Sequence, residues 1–70
     1  MNRKEFIKYI ESIGFKTFGF YYYYKQYRID LYKYKYEFYN GSEWIYYIKL
    51  DDLTPLKKIE RSYKLKKILG

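Results

Sequence analysis

The sequence predicts an α+β domain in the order α-β-β-β-α: a three-stranded antiparallel meander with both helices packed on one face. Three observations point there. A capped amphipathic stretch opens the chain, an aromatic-rich middle alternates with period two, and a second amphipathic stretch behind Thr54-Pro55 closes it. Seventy residues allow one domain, 1–70, with helices at about 2–13 and 55–69 and sheet at about 15–50.

Asn2 followed by Glu5 is an N-cap with its capping-box partner. Phe6, Tyr9, Ile10 and Ile13 then recur at helical spacing, so one face of the first helix is apolar. Gly14 can adopt the left-handed conformation that ends a helix, and Phe15 can fold back as its hydrophobic contact. The first strand is expected over Thr17–Tyr24, with Phe18, Phe20, Tyr22 and Tyr24 inward and Thr17, Gly19, Tyr21 and Tyr23 on the other face. Lys25-Gln26 reads as a tight turn. A long second strand begins with Tyr27, Ile29 and Leu31 inward; its alternation then slips to Tyr34, Tyr36 and Phe38, which predicts a β-bulge or sharp bend near Leu31-Tyr32. Asn40-Gly41 is a hairpin signal. The third strand is expected to put Trp44, Tyr46, Ile48 and Leu50 on one face and Ile45, Tyr47 and Lys49 on the other. Thr54 as N-cap and Pro55 as first helical residue open the second helix, whose inner stripe is Leu56, Ile59 and Tyr63. Leu65, Ile68 and Leu69 leave that stripe, so either the helix bends near Ser62 or its last turns offer apolar side chains elsewhere.

This element order resembles that of the double-stranded-RNA-binding domain and of a small toxin family built on the same fold. The chain departs from both. The toxin family's Gly-Ser-His segment is absent, and only Lys57-Lys58 echoes the RNA-binding family's basic cluster at the second helix.

With no Cys and no His, disulfides and Cys/His zinc sites are excluded. Thirteen Tyr, five Phe and one Trp supply the bulk that a small core needs, each ring carrying roughly 150–250 Å². The net charge of +7 is uneven. Residues 1–52 hold nine Lys/Arg against seven Asp/Glu, while residues 53–70 hold six against Glu60 alone. There is no apolar leader behind Met1, and the longest apolar run, Phe18–Tyr24, is too short to span a bilayer. The expected setting is the cytoplasm, a host's if the gene is phage-borne, with no membrane partner.

No P-loop, dinucleotide glycine pattern or nucleophile–base pairing occurs, and Asp51-Asp52 read as caps and turn formers. The chain is therefore read as a non-enzyme with no cofactor or metal. Its rings exceed what one core can hold. The surplus predicts a binding face at Tyr21, Tyr23, Ile45 and Tyr47, with Leu65, Ile68 and Leu69 as a second anchor, since Tyr-rich apolar surfaces make protein hot spots. The expected function is a non-enzymatic binder that occupies a surface on a larger protein or ribonucleoprotein. The heavy use of Lys, Tyr, Ile and Phe fits an AT-rich coding sequence, which makes a phage- or plasmid-encoded inhibitor of a host machine, such as a CRISPR effector, the expected concrete form. The alternative is direct RNA or DNA binding through Arg28, Lys33, Lys35, Lys49, Lys57, Lys58, Arg61 and Lys64. Surplus rings also predict a homodimer.

Overall fold

The computed structural model describes residues 1–69. Helix α1 (Arg3–Ser12) precedes strands β1 (Lys16–Phe18), β2 (Tyr21–Tyr24), β3 (Tyr27–Leu31), β4 (Tyr36–Tyr39) and β5 (Trp44–Tyr47), and α2 (Thr54–Leu69) closes the chain. The strands form one antiparallel sheet in sequence order, so the α+β arrangement of a meander between two helices holds. The strand number differs from expectation: five, not three.

The helix ends are set locally. The Asn2 side chain accepts from the Glu5 amide at 2.8 Å, and Glu5 accepts from the Asn2 amide at 3.1 Å. At the other end the Phe15 amide donates to the Ile10 carbonyl at 3.0 Å and the Gly14 amide to that of Glu11 at 3.2 Å. This is the paired bonding of a Schellman cap, with Gly14 at φ +109° and Phe15 buried as its apolar contact. Helix α2 starts one residue earlier than expected, and its leading cap is Asp52, whose carboxylate accepts from the Thr54 hydroxyl at 2.7 Å and amide at 3.3 Å.

Both extra strands come from turns hidden within a ring-rich stretch. Gly19 at φ +60° and Phe20, 92% exposed, form a two-residue turn that splits the expected first strand, so Phe18 pairs with Tyr21. The slip near Leu31 is a hairpin and not a bulge: the Tyr32 amide donates to the Lys35 carbonyl at 2.9 Å, and Leu31 pairs with Tyr36. Paired residues flank two residues at Gly19-Phe20 and Lys25-Gln26, and four at Tyr32–Lys35 and Asn40–Glu43. An even turn makes partners differ by an odd number, so the inward positions switch between odd and even at every hairpin. They are Thr17; Tyr22 and Tyr24; Tyr27, Ile29 and Leu31; Tyr36 and Phe38; Ile45 and Tyr47.

Both helices cover that face. Phe6 and Ile10 of α1, Ile13 at its C-cap, and Leu56 and Ile59 of α2 share one buried cluster with Ile29, Tyr36 and Phe38, completed by Phe15 and Leu50. Each fully enclosed aliphatic or aromatic side chain there contributes about 1.5–3 kcal/mol. The Tyr9 hydroxyl donates to Glu60 at 3.0 Å and ties the helices together. At Gly14 a Cβ would lie 2.8 Å from the Tyr24 ring and 3.0 Å from that of Tyr63, so this glycine lets the end of α1 sit directly on two rings.

Gly14→Ala is expected to lower unfolding free energy by about 1 kcal/mol or more, and Gly14→Val by more still, in denaturant melts. Unchanged midpoints would show that neither the positive φ nor the close approach matters. The inward parity is checked at β5. Ile45→Asn should cost about 1–3 kcal/mol through loss of half-buried apolar contact, whereas Tyr46→Asn should stay within about 0.5 kcal/mol. The reverse ranking would mean that the sheet faces the other way.

Candidate functional site

The face of the sheet turned away from the helices carries two cross-strand rows. One runs Lys16, Tyr23, Arg28, Tyr39, Trp44, and the other Phe18, Tyr21, Asp30, Glu37, Tyr46. Six of these ten side chains are aromatic. Trp44 stands 5.3 Å from Tyr39 and 6.2 Å from Tyr21, ring centre to ring centre. Tyr21 lies on β2 and Trp44 on β5, so both rings lean inward over the two strands between them. Phe18 meets Tyr23 edge-on at 5.9 Å, and the Arg28 guanidinium also lies 5.9 Å from the Tyr23 ring centre. Phe18, Tyr21, Tyr23 and Arg28 line an open groove of about 430 Å³.

The middle of this face is acidic. Asp30 and Glu37 oppose each other across β3 and β4, an unfavourable like-charge pair. The Tyr32 hydroxyl relieves it, lying 2.9 Å from a Glu37 oxygen and 3.1 Å from an Asp30 oxygen. Bonding to Glu37 first and Asp30 second pushes the Tyr32 phenol up to about 12. The Lys35 ammonium sits 5.7 Å from the Tyr32 ring and 5.3 Å from the Tyr46 ring, adding a cation at the border.

Of the residues expected to bind a partner, Tyr21 and Tyr23 lie on the uncovered face. Ile45 and Tyr47 do not: they face the helices, and Tyr47 stacks on buried Tyr36 at 5.0 Å. Trp44 and Tyr46 take the outward places, and Phe18, also expected inside, is outward and exposed. The Gly19-Phe20 turn is the reason for Phe18, and the four-residue turn at Asn40 the reason on β5. The Asn40 side chain accepts from the Ser42 and Glu43 amides at 2.8 and 3.0 Å, which sets Trp44 opposite Tyr39. Counting that turn as even would have found Trp44 and Tyr46. Leu65, Ile68 and Leu69 are exposed on α2, which continues to Leu69 as one helix.

The expected polyanion residues do not share a surface. Arg28 is on the uncovered face, Lys33 and Lys35 are in the β3–β4 turn, and Lys49 lies beyond the end of β5. On α2, Lys57 and Lys64 approach Glu60 at 3.7 and 3.0 Å, while Lys58 and Arg61 are exposed. Hydrogen bonds from Lys64 and then Tyr9 hold the Glu60 carboxyl below its ordinary value. Among the described residues no three His, Cys, Asp or Glu gather as a metal site, and no helix is long and apolar enough to cross a membrane. Comparison with protein-family models, with curated proteins and with solved structures finds no match to this chain.

The Tyr32 phenol gives a direct readout of the acid pair. Its folded value lies above the ordinary 10.0, so its stabilising effect is intact below pH 10 and is lost as pH climbs through about 12. In Asp30→Asn/Glu37→Gln, ring resonances of Tyr32 should titrate back toward the ordinary value. An unchanged midpoint would remove the two carboxylates as its cause.

Proposed function

We propose that this chain is a non-enzymatic binding protein that acts by occupying a surface on a larger protein or ribonucleoprotein, with the uncovered aromatic sheet face as its contact. The supporting observation is the inward-leaning ring group of Tyr21, Tyr39 and Trp44, bordered by Phe18, Tyr23, Arg28 and Tyr46 and covered by neither helix. Trp, Tyr and Arg are the side chains that dominate binding hot spots, because they bury much area for few rotatable bonds. The acid pair at the centre of the face favours a protein surface with cationic or hydrogen-bond-donating groups there, and repels a phosphate strand. Occlusion needs no chemistry of its own, so inhibition of a larger assembly is the form of action we assign to it.

The test begins with a partner recovered on immobilised protein from nuclease-treated extract of the source cell, then titrated against variants. Trp44→Ala and Tyr21→Ala should each weaken the complex by about 2 kcal/mol or more, with modest dependence on salt. Lys57→Glu/Arg61→Glu should change it little. Loss of the partner on nuclease treatment, or a complex indifferent to Trp44 and Tyr21, would replace this reading with polyanion binding through α2.

A further inference from the structure

At one edge of the uncovered face, three adjoining hollows meet at Tyr24 and Lys25. The first, of about 500 Å³, lies between the end of α1 and β2, lined by Glu11, Gly14, Lys16 and Tyr63 among others. The second opens toward Lys58 and Ser62, and the third toward Tyr63, Lys66 and Lys67. Tyr24 floors all three and Tyr63 the first and third, the two rings edge-to-face at 5.9 Å. Gly14 makes this floor possible, since any side chain there would push into both rings.

The rim is cationic. Lys16, Lys25, Lys58, Lys66 and Lys67 line the three hollows against the single acid Glu11. Among the described residues none of these five lysines is in an ion pair; Glu60 takes Lys57 and Lys64, and Asp51 takes the N-terminal amine. Two of them instead lie over the floor, Lys25 at 5.3 Å from the Tyr24 ring centre and Lys67 at 5.2 Å from that of Tyr63. Lys25 also holds a positive φ of 54°, unusual for a residue with a side chain. Like charges gathered on one concave surface repel, and an anionic ligand removes that cost.

We propose that this cleft binds single-stranded nucleic acid, with backbone phosphates on Lys16, Lys25, Lys58, Lys66 and Lys67 and a base stacked on the tyrosine floor. Cations spaced along a groove match the repeating charge of a strand, and rings beneath them give bases a stacking surface that an acidic peptide would not use. The cleft borders the uncovered face at Lys16 and Tyr23 but includes none of Tyr21, Tyr39 and Trp44, and its Tyr24–Tyr63 floor is separate from the ring group of the sheet-face reading. It also differs from the helix surface of Lys57 and Lys64, which share the single carboxylate of Glu60.

The probe is a fluorescein-labelled single-stranded oligonucleotide of about a dozen nucleotides, followed by anisotropy between about 50 and 200 mM salt. Binding is expected with a slope of about −2 to −3.5 in log affinity against log salt, as for three to five phosphate contacts. Lys66→Glu/Lys67→Glu should weaken it about tenfold or more and flatten the slope. Tyr63→Leu, checked for folding by thermal melt, should weaken it about fivefold or more and leave the slope unchanged. Lys4→Glu/Lys8→Glu, with the same change in net charge away from the cleft, should stay within about threefold. No binding at the lower salt, equal losses from the two lysine pairs, or equally effective displacement by polyglutamate of matched charge would each overturn the assignment.

Discussion

The ring of Tyr36 holds this protein together. It is fully enclosed, stacks on Tyr47 at 5.0 Å, and meets Phe6 of α1 at 4.8 Å. Its hydroxyl donates to the Asp52 carbonyl, at the residue whose side chain caps α2. One side chain therefore touches the first helix, two strands and the approach to the second helix. In a chain without cysteine or histidine, it performs the joining that a disulfide or zinc ion performs in other small domains. Burial, and after it the nearby Asp52 charge, pushes its phenol well above the ordinary value, so the bond is kept throughout the range in which proteins fold.

Packing everything around that centre produces a one-sided molecule. The apolar stripes of both helices are spent on one face of the sheet, and the described residues hold no third helix to cover the other. The rings on the open face pack on each other and on Arg28 and Lys35, which keeps much of their edge area from water without hiding their position. Tyrosine suits both places. Inside, its hydroxyl finds a carbonyl or carboxylate; outside, it finds water or the Asp30–Glu37 pair.

The helices were legible because their signals are local. Asn2 with Glu5, Gly14 with Phe15 and the stripe Phe6–Ile10–Ile13 all lie within one or two turns of each other. The sheet was less so. Strand faces are normally read from polar–apolar contrast, and YYYY at residues 21–24 has none, so register had to come from turns. Gly19-Phe20 carries no polar marker, and Tyr32–Lys35 imitates a bulge by shifting the alternation one place. Tyr21 and Tyr23 could be assigned outward across the two-residue Lys25-Gln26 turn, which sets Tyr22 opposite Ile29 and Tyr23 opposite Arg28, whereas Ile45 and Tyr47 were misassigned because their face depends on the longer turn before them. The lysine-rimmed cleft was not legible at all. Its residues are scattered from Lys16 to Lys67 and meet only through the approach of α1 and α2 to Tyr24.

Because every hairpin here contains an even number of residues, the chain behaves like a ribbon folded on a fixed grid of two. Removing one residue from the Asn40–Glu43 turn would leave three residues between Tyr39 and Trp44; unless the shorter loop closes that same pair, Ile45 and Tyr47 pass to the water side and Trp44 and Tyr46 toward α2. Removing two would leave every later residue on its side. Length changes at these turns keep every later residue on its side when they come in pairs, whereas a lone insertion must be taken up within the loop or as a bulge for the buried face to keep its residues.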